Sequence, residues 1–99
     1  MGHYLGELTS ASSTDALVVK GNVSHTVQIK VAAVTTSIDY NILGSLDGTN
    51  YFDLESSNVQ KTATGTFYLN YSDLPLTHIK GSFEAGTGTL QFTYQGNTE

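Results

Sequence analysis

No cysteine occurs in the 99-residue chain, which excludes disulfides, thiolate zinc sites and a cysteine nucleophile. Its absence fits a reducing cytosol, and equally a particle built in cytosol and then released. Arginine is missing too: four lysines face nine acids, for a net charge of -5. Nucleic-acid affinity comes largely from neutralising phosphates, and arginine is the usual reader of guanine, so a nucleic-acid partner is not expected. An anionic membrane surface is disfavoured for the same reason. Tryptophan is absent and proline occurs once, at Pro75. No apolar run approaches the roughly 20 residues of a membrane helix. Met1-Gly2-His3-Tyr4 does not read as the start of a basic-then-apolar leader.

What the chain does hold is globular. Hydrophobic residues make up 38% and charged residues 13%, which is too few charges for a typical disordered segment. Six tyrosines and four phenylalanines supply most of the large side chains. The length allows one domain with one core. Ser, Thr, Gly and Asn are abundant, and they suit polar strand faces and tight turns better than helices.

Apolar residues alternate with polar ones in five places. Val27, Ile29 and Val31 form one set, and Ile38, Tyr40 and Ile42 a second. Phe67, Leu69 and Tyr71 follow, then Ile79, Gly81 and Phe83, then Leu90, Phe92 and Tyr94. Period 2 is the mark of a half-buried strand. Leu17-Val18-Val19 and Phe52-Asp53-Leu54 read as shorter strands. Gly21-Asn22, Asp47-Gly48, Ser72-Asp73 before Pro75, and Gly86-Thr87-Gly88 are turn signals. The pattern predicts an all-β, antiparallel β-sandwich, jelly-roll-like, with seven to eight short strands. Gly44 and Gly81, inside strand patterns, are expected to mark bulges or close backbone approach.

Residues 1–14 stand apart. The polar run Thr9-Ser10-Ala11-Ser12-Ser13-Thr14 reads as a flexible linker, with the sandwich domain at 15–99. Tyr4, Leu5 and Leu8 would then sit on an arm able to order against a neighbouring subunit. On this reading, truncating the arm spares the fold and weakens association.

No enzyme constellation is present. The histidines His3, His25 and His78 lack metal-ligand spacing, and surface or strand-flanking positions are expected for them. There is no G-x-S-x-G elbow, phosphate loop or dinucleotide fingerprint. Asp39, Asp47, Asp53 and Glu55 lie close enough to raise calcium, but Asp47-Gly48-Thr49-Asn50 lacks the EF-hand order and reads as a hairpin turn. No catalytic residue, metal or cofactor is expected.

The segment Ile42-Leu43-Gly44-Ser45-Leu46-Asp47-Gly48-Thr49-Asn50-Tyr51-Phe52-Asp53-Leu54 is the most specific in the chain. It resembles a hairpin that recurs in small β-sandwich virion proteins of tailed bacteriophages, the capsid decoration (cement) proteins and tail-associated modules. The stretch Leu76 to Phe92 is similar to the closing hairpin of those modules, with Lys80 where they often carry arginine. The resemblance spans roughly residues 15–95. It implies a non-enzymatic structural protein that binds the major capsid protein or other virion proteins. Assembly in the host cytoplasm and residence in the virion follow, and a homotrimer fits a symmetric shell. The rival reading is a carbohydrate-binding module of a tail fibre or adhesin, with Tyr40, Tyr51, Tyr68, Tyr71 and Tyr94 as candidate sugar platforms. Against it, inward tyrosines would simply fill the core.

Overall fold

A computed structural model describes residues 3–97. Ten strands follow in chain order: β1 (His3–Leu8), β2 (Ser12–Ser13), β3 (Leu17–Val18), β4 (Ser24–Ala32), β5 (Ile38–Ser45), β6 (Tyr51–Asp53), β7 (Val59–Lys61), β8 (Gly65–Tyr71), β9 (His78–Gly86) and β10 (Thr89–Asn97). Among the described residues there is no helix. All five alternating segments are long strands, and each turns its apolar set toward one interior.

Two antiparallel sheets make an all-β sandwich. The first has the order β1-β10-β4-β8. In the second, β9 and β5 are central; β2 and β3 flank β9, while β6 and β7 flank β5. From the first sheet Val27, Ile29, Val31, Leu90, Phe92 and Tyr94 enter the core. Ile38, Tyr40, Ile42, Ile79 and Phe83 meet them from the second. Tyr40 and Phe92 pack edge to face across the layers, with ring centroids 6.5 Å apart.

The left-handed region is taken by five glycines and by Ala33, Ser56 and Asp73 among the described residues. Gly48 has φ +81° at the Asp47-Gly48 turn. Gly81 marks a close approach between the sheets, since a Cβ there would stand 2.6 Å from the Phe92 ring. The bulge is elsewhere: the β5–β9 register shifts between Asp39 and Tyr40, leaving Glu84 as the extra residue.

The expected flexible arm at residues 1–14 is corrected by the structure over its described part. His3–Leu8 pairs with β10 as the edge of the first sheet, and Leu8 joins the core. Ser12–Ser13 pairs with β9 in the second sheet. Thr14 fastens the crossing: its N–H donates to the Gly81 carbonyl (2.9 Å) and its Oγ1 accepts from the Gly81 N–H (3.0 Å). The polar run is therefore a switch between sheets. Its strand pairing is through the backbone and the hydroxyls of Ser12 and Thr14 add bonds of their own, so small polar residues carry it without any side-chain period. Met1 and Gly2 lie outside the described residues.

Candidate functional site

Residues opposite one another on paired strands point to the same face. On the outer face of the first sheet this places Tyr4, Thr93, Gln28 and Tyr68 in one row across all four strands. Tyr4 is 60% exposed and Tyr68 71%. With neighbouring strands about 4.8 Å apart, the two tyrosines bracket roughly 14 Å of amide and hydroxyl surface. The flanking rows are Glu7, Gln91, Lys30 and Thr66 on one side, and Gln95, Thr26 and Asn70 on the other. Gln91 Nε2 donates to Glu7 Oε2 (2.9 Å), and Thr26 Oγ1 donates to Asn70 Oδ1 (2.9 Å). Rigid phenol rings beside adaptable polar groups are characteristic of protein-binding surfaces.

Of the residues expected to contact a partner, Tyr4 alone is presented outward. Leu5 sits at the register shift between Tyr4 and Gly6 and packs against the core. Leu8 is 9% exposed and belongs to the chain's own interior. Sequence reasoning missed Thr93 and Gln28. Alternation does assign both to the polar face of their strands, but their alignment with Tyr4 needs the strand register.

The outer face of the second sheet is more polar. Asn41 is only 3% exposed, and its Nδ2 donates to Asp53 Oδ1 (2.9 Å). That bond fixes the amide orientation and leaves Asn41 Oδ1 buried without a partner. Asp39 Oδ1, two residues earlier on the same face, is likewise buried and unpaired. Ser82 lies opposite Asn41 and donates to Glu84. Lys80 Nζ stands 4.3 Å from the centre of the Tyr51 ring.

The Asp47 turn closes the end of this face. Asp47 Oδ1 accepts from the Asn50 N–H (2.8 Å) and the Thr49 N–H (2.8 Å), and Oδ2 from Asn50 Nδ2 (2.9 Å). These donors, the Asn50 N–H foremost, hold the Asp47 carboxyl well below the usual carboxylate range. Ser45 Oγ accepts from the Asp47 and Gly48 N–H groups (3.2 and 2.8 Å) and donates to Asp47 Oδ1 (3.1 Å). Every one of these bonds shapes the turn. Among the described residues no three His, Cys, Asp or Glu side chains converge as metal ligands would.

His25 opens a strand as expected for a strand-flanking position, but it is not at the surface. It is fully buried at the start of β4, between the Tyr94 hydroxyl and the Leu74 carbonyl. The carbonyl can only accept, so His25 Nε2 carries the proton (2.6 Å) and Nδ1 accepts from Tyr94. Asn22 Nδ2 in turn donates to the Tyr94 oxygen (3.3 Å). Burial pushes the Tyr94 phenol upward, so it stays protonated as this chain requires. His25 thus ties strand β10 to the loop before Pro75. Beside it, Lys20, Asn22, Val23, Pro75 and Leu76 line an open groove of about 250 Å³. His78 is half-buried, bonded at Nδ1 to Thr77 Oγ1 (2.9 Å) and packed at Gly48.

The five candidate sugar tyrosines separate. Tyr40 and Tyr94 are core residues. Tyr71 is half-buried and donates to the Glu55 carbonyl (2.8 Å), while Tyr51 carries Lys80 on its ring. Tyr68 alone of the five is open.

No protein-family model matches the chain, and no curated protein matches it. Solved structures with the same fold do exist. The SPBc2 prophage-derived protein YomS is similar over 95% of this chain and 88% of its own, with a TM-score of 0.71 and 16% identity. The Bacillus endospore appendage protein, from pili described as disulfide-linked, matches 95% of this chain and 82% of its own, with a TM-score of 0.57 and 12% identity. The carbohydrate-binding module CBM4 matches 86% of this chain at a TM-score of 0.52 and 14% identity, and the match spans 61% of that protein. These likenesses establish a shared fold, a small β-sandwich found in phage-derived, pilus and carbohydrate-binding proteins.

Proposed function

We propose that the chain is a non-enzymatic virion structural protein of a tailed phage or prophage, of the decoration (cement) type. On this reading it binds the major capsid protein or another virion protein on the outside of the shell and acts as a homo-oligomer. The observation that carries the reading is the row Tyr4-Thr93-Gln28-Tyr68, two exposed phenol rings set on a rigid four-stranded sheet. Many copies on a symmetric shell make modest individual contacts sufficient. The prophage-derived YomS supports the same class through its fold. The test is sedimentation of purified protein with purified shells of the virus that encodes it. Saturable co-sedimentation is expected, weakened several-fold by Tyr4→Lys with an unchanged melting temperature. No co-sedimentation by the parent protein would overturn the reading.

A second reading, a carbohydrate-binding module, is favoured by the unpaired Asp39 and Asn41 oxygens on the opposite face. Sugar hydroxyls would supply the missing donors. Glycan-array binding that is lost in Asn41→Leu, together with absence from shells, would select it.

A further inference from the structure

An edge strand offers unpaired N–H and C=O groups to any other strand, and proteins blunt such edges by shortness, charge or bulges. Three of the four edges here are blunted. On the second sheet β2 and β3 have two residues each, and β6 and β7 three each. On the first sheet β1 carries Glu7 and a register shift. The fourth edge, β8, is seven residues long with the sequence Gly65-Thr66-Phe67-Tyr68-Leu69-Asn70-Tyr71. It contains no charge and no proline, and its pairing with β4 runs from Gly65 to Tyr71 without a shift. In a chain of net charge -5, this is a neutral edge on an acidic molecule.

The strand is also complementary to itself. Tyr68 is its midpoint. Antiparallel pairing of two β8 strands about Tyr68 sets Tyr68 against Tyr68 of the second copy. The same register sets Phe67 against Leu69 and Thr66 against Asn70. Each is a favourable cross-strand pair. A Thr–Asn pair of this kind already exists within the sheet, where Thr26 Oγ1 donates to Asn70 Oδ1 (2.9 Å). Phe67 and Leu69 are half-buried against the core, and Lys61 Nζ stands 3.9 Å from the centre of the Phe67 ring, so the charge next to the strand is a cation on its inward face. We propose that two copies of the chain join through β8, antiparallel and centred on Tyr68, to make one eight-stranded sheet with two-fold symmetry. The two Tyr4-to-Tyr68 rows then become one continuous row on a single face.

Cysteine substitution tests the register, because the natural chain has none. Tyr68→Cys would place two Cα atoms about 4.5–5.5 Å apart across the two-fold axis, within disulfide range. Gln28→Cys, one strand inward on the same row, would lie roughly 14 Å from its copy and cannot bridge. On oxidation, Tyr68→Cys is expected to give a covalent dimer and Gln28→Cys a monomer. In sedimentation equilibrium the parent should be dimeric. Tyr68→Lys, opposing two ammonium groups at the axis, should raise the dissociation constant at least about tenfold with an unchanged melting temperature. A parent that stays monomeric, a trimer, or a dimer that Tyr68→Cys fails to cross-link would each overturn the proposal. None of these outcomes depends on whether the protein binds a shell.

Discussion

Asp47 and Gly48 illustrate how a few residues set a loop. Gly48 adopts φ +81° against the His78 ring, where an added Cβ would fall 2.6 Å from His78 Cε1. Gly48→Val is therefore expected to cost about 1–2 kcal/mol or more, through left-handed strain in a β-branched residue, read as a lower melting temperature. Asp47 contributes through its charged form. Its folded value lies below the unfolded one, so its stabilisation is present above about pH 4. It is lost as pH falls through the depressed folded value. Asp47→Ala should thus melt below the parent between pH 5 and 8 by a constant margin, and that margin should close only in strong acid. A margin that closes near pH 6 would assign the effect to another group. For His25, loss of both ring contacts in a sealed site predicts a cost of about 2–4 kcal/mol for His25→Ala in urea denaturation. A parent-like midpoint would mean that the Asn22–Tyr94–His25–Leu74 chain is not formed.

Among the elements, β4, β5, β8, β9 and β10 were legible from their alternation, and so were the short β3 and β6 at Leu17-Val18 and Phe52-Asp53; β1, β2 and β7 were not. Val27, Ile29 and Val31 alternate cleanly because β4 is central in its sheet and buried on one face. Strand β1 hid its nature because the shift between Tyr4 and Gly6 breaks the period, moving Leu5 and Leu8 out of simple alternation. Strands β2 and β7 have too few residues to show any period. The Tyr4-to-Tyr68 row was half legible: the tyrosines were visible, but their alignment depends on pairings across three strand boundaries. His25 shares the parity of Val27, Ile29 and Val31, which points it inward, but its partners Tyr94 and Leu74 are distant in the chain and no local pattern shows them. The corrected role of β1 reverses the expectation for truncation. Deleting residues 1–13 removes two paired strands, uncovers the β10 edge and exposes the site of Leu8, which alone is worth roughly 1.5–3 kcal/mol. The truncated protein should melt well below the parent or aggregate. An unchanged melt would restore the detachable arm.

For the whole molecule, the two sheet faces divide the chemistry. One is a neutral amide and hydroxyl surface framed by Tyr4 and Tyr68, and the other an acidic face with two idle acceptor oxygens. Between them the core is filled by aliphatic and aromatic side chains, with Tyr40, Phe83, Phe92 and Tyr94 the largest of them. The proposed function makes the chain a repeated component of a particle. Quantitative mass spectrometry of particles purified from the virus that encodes it addresses that claim directly. The chain should be present in a fixed, many-copy ratio to the major shell protein, and Tyr4→Lys should lower that ratio. Particles that lack the chain altogether, while it is abundant in the cells that produced them, would contradict the account.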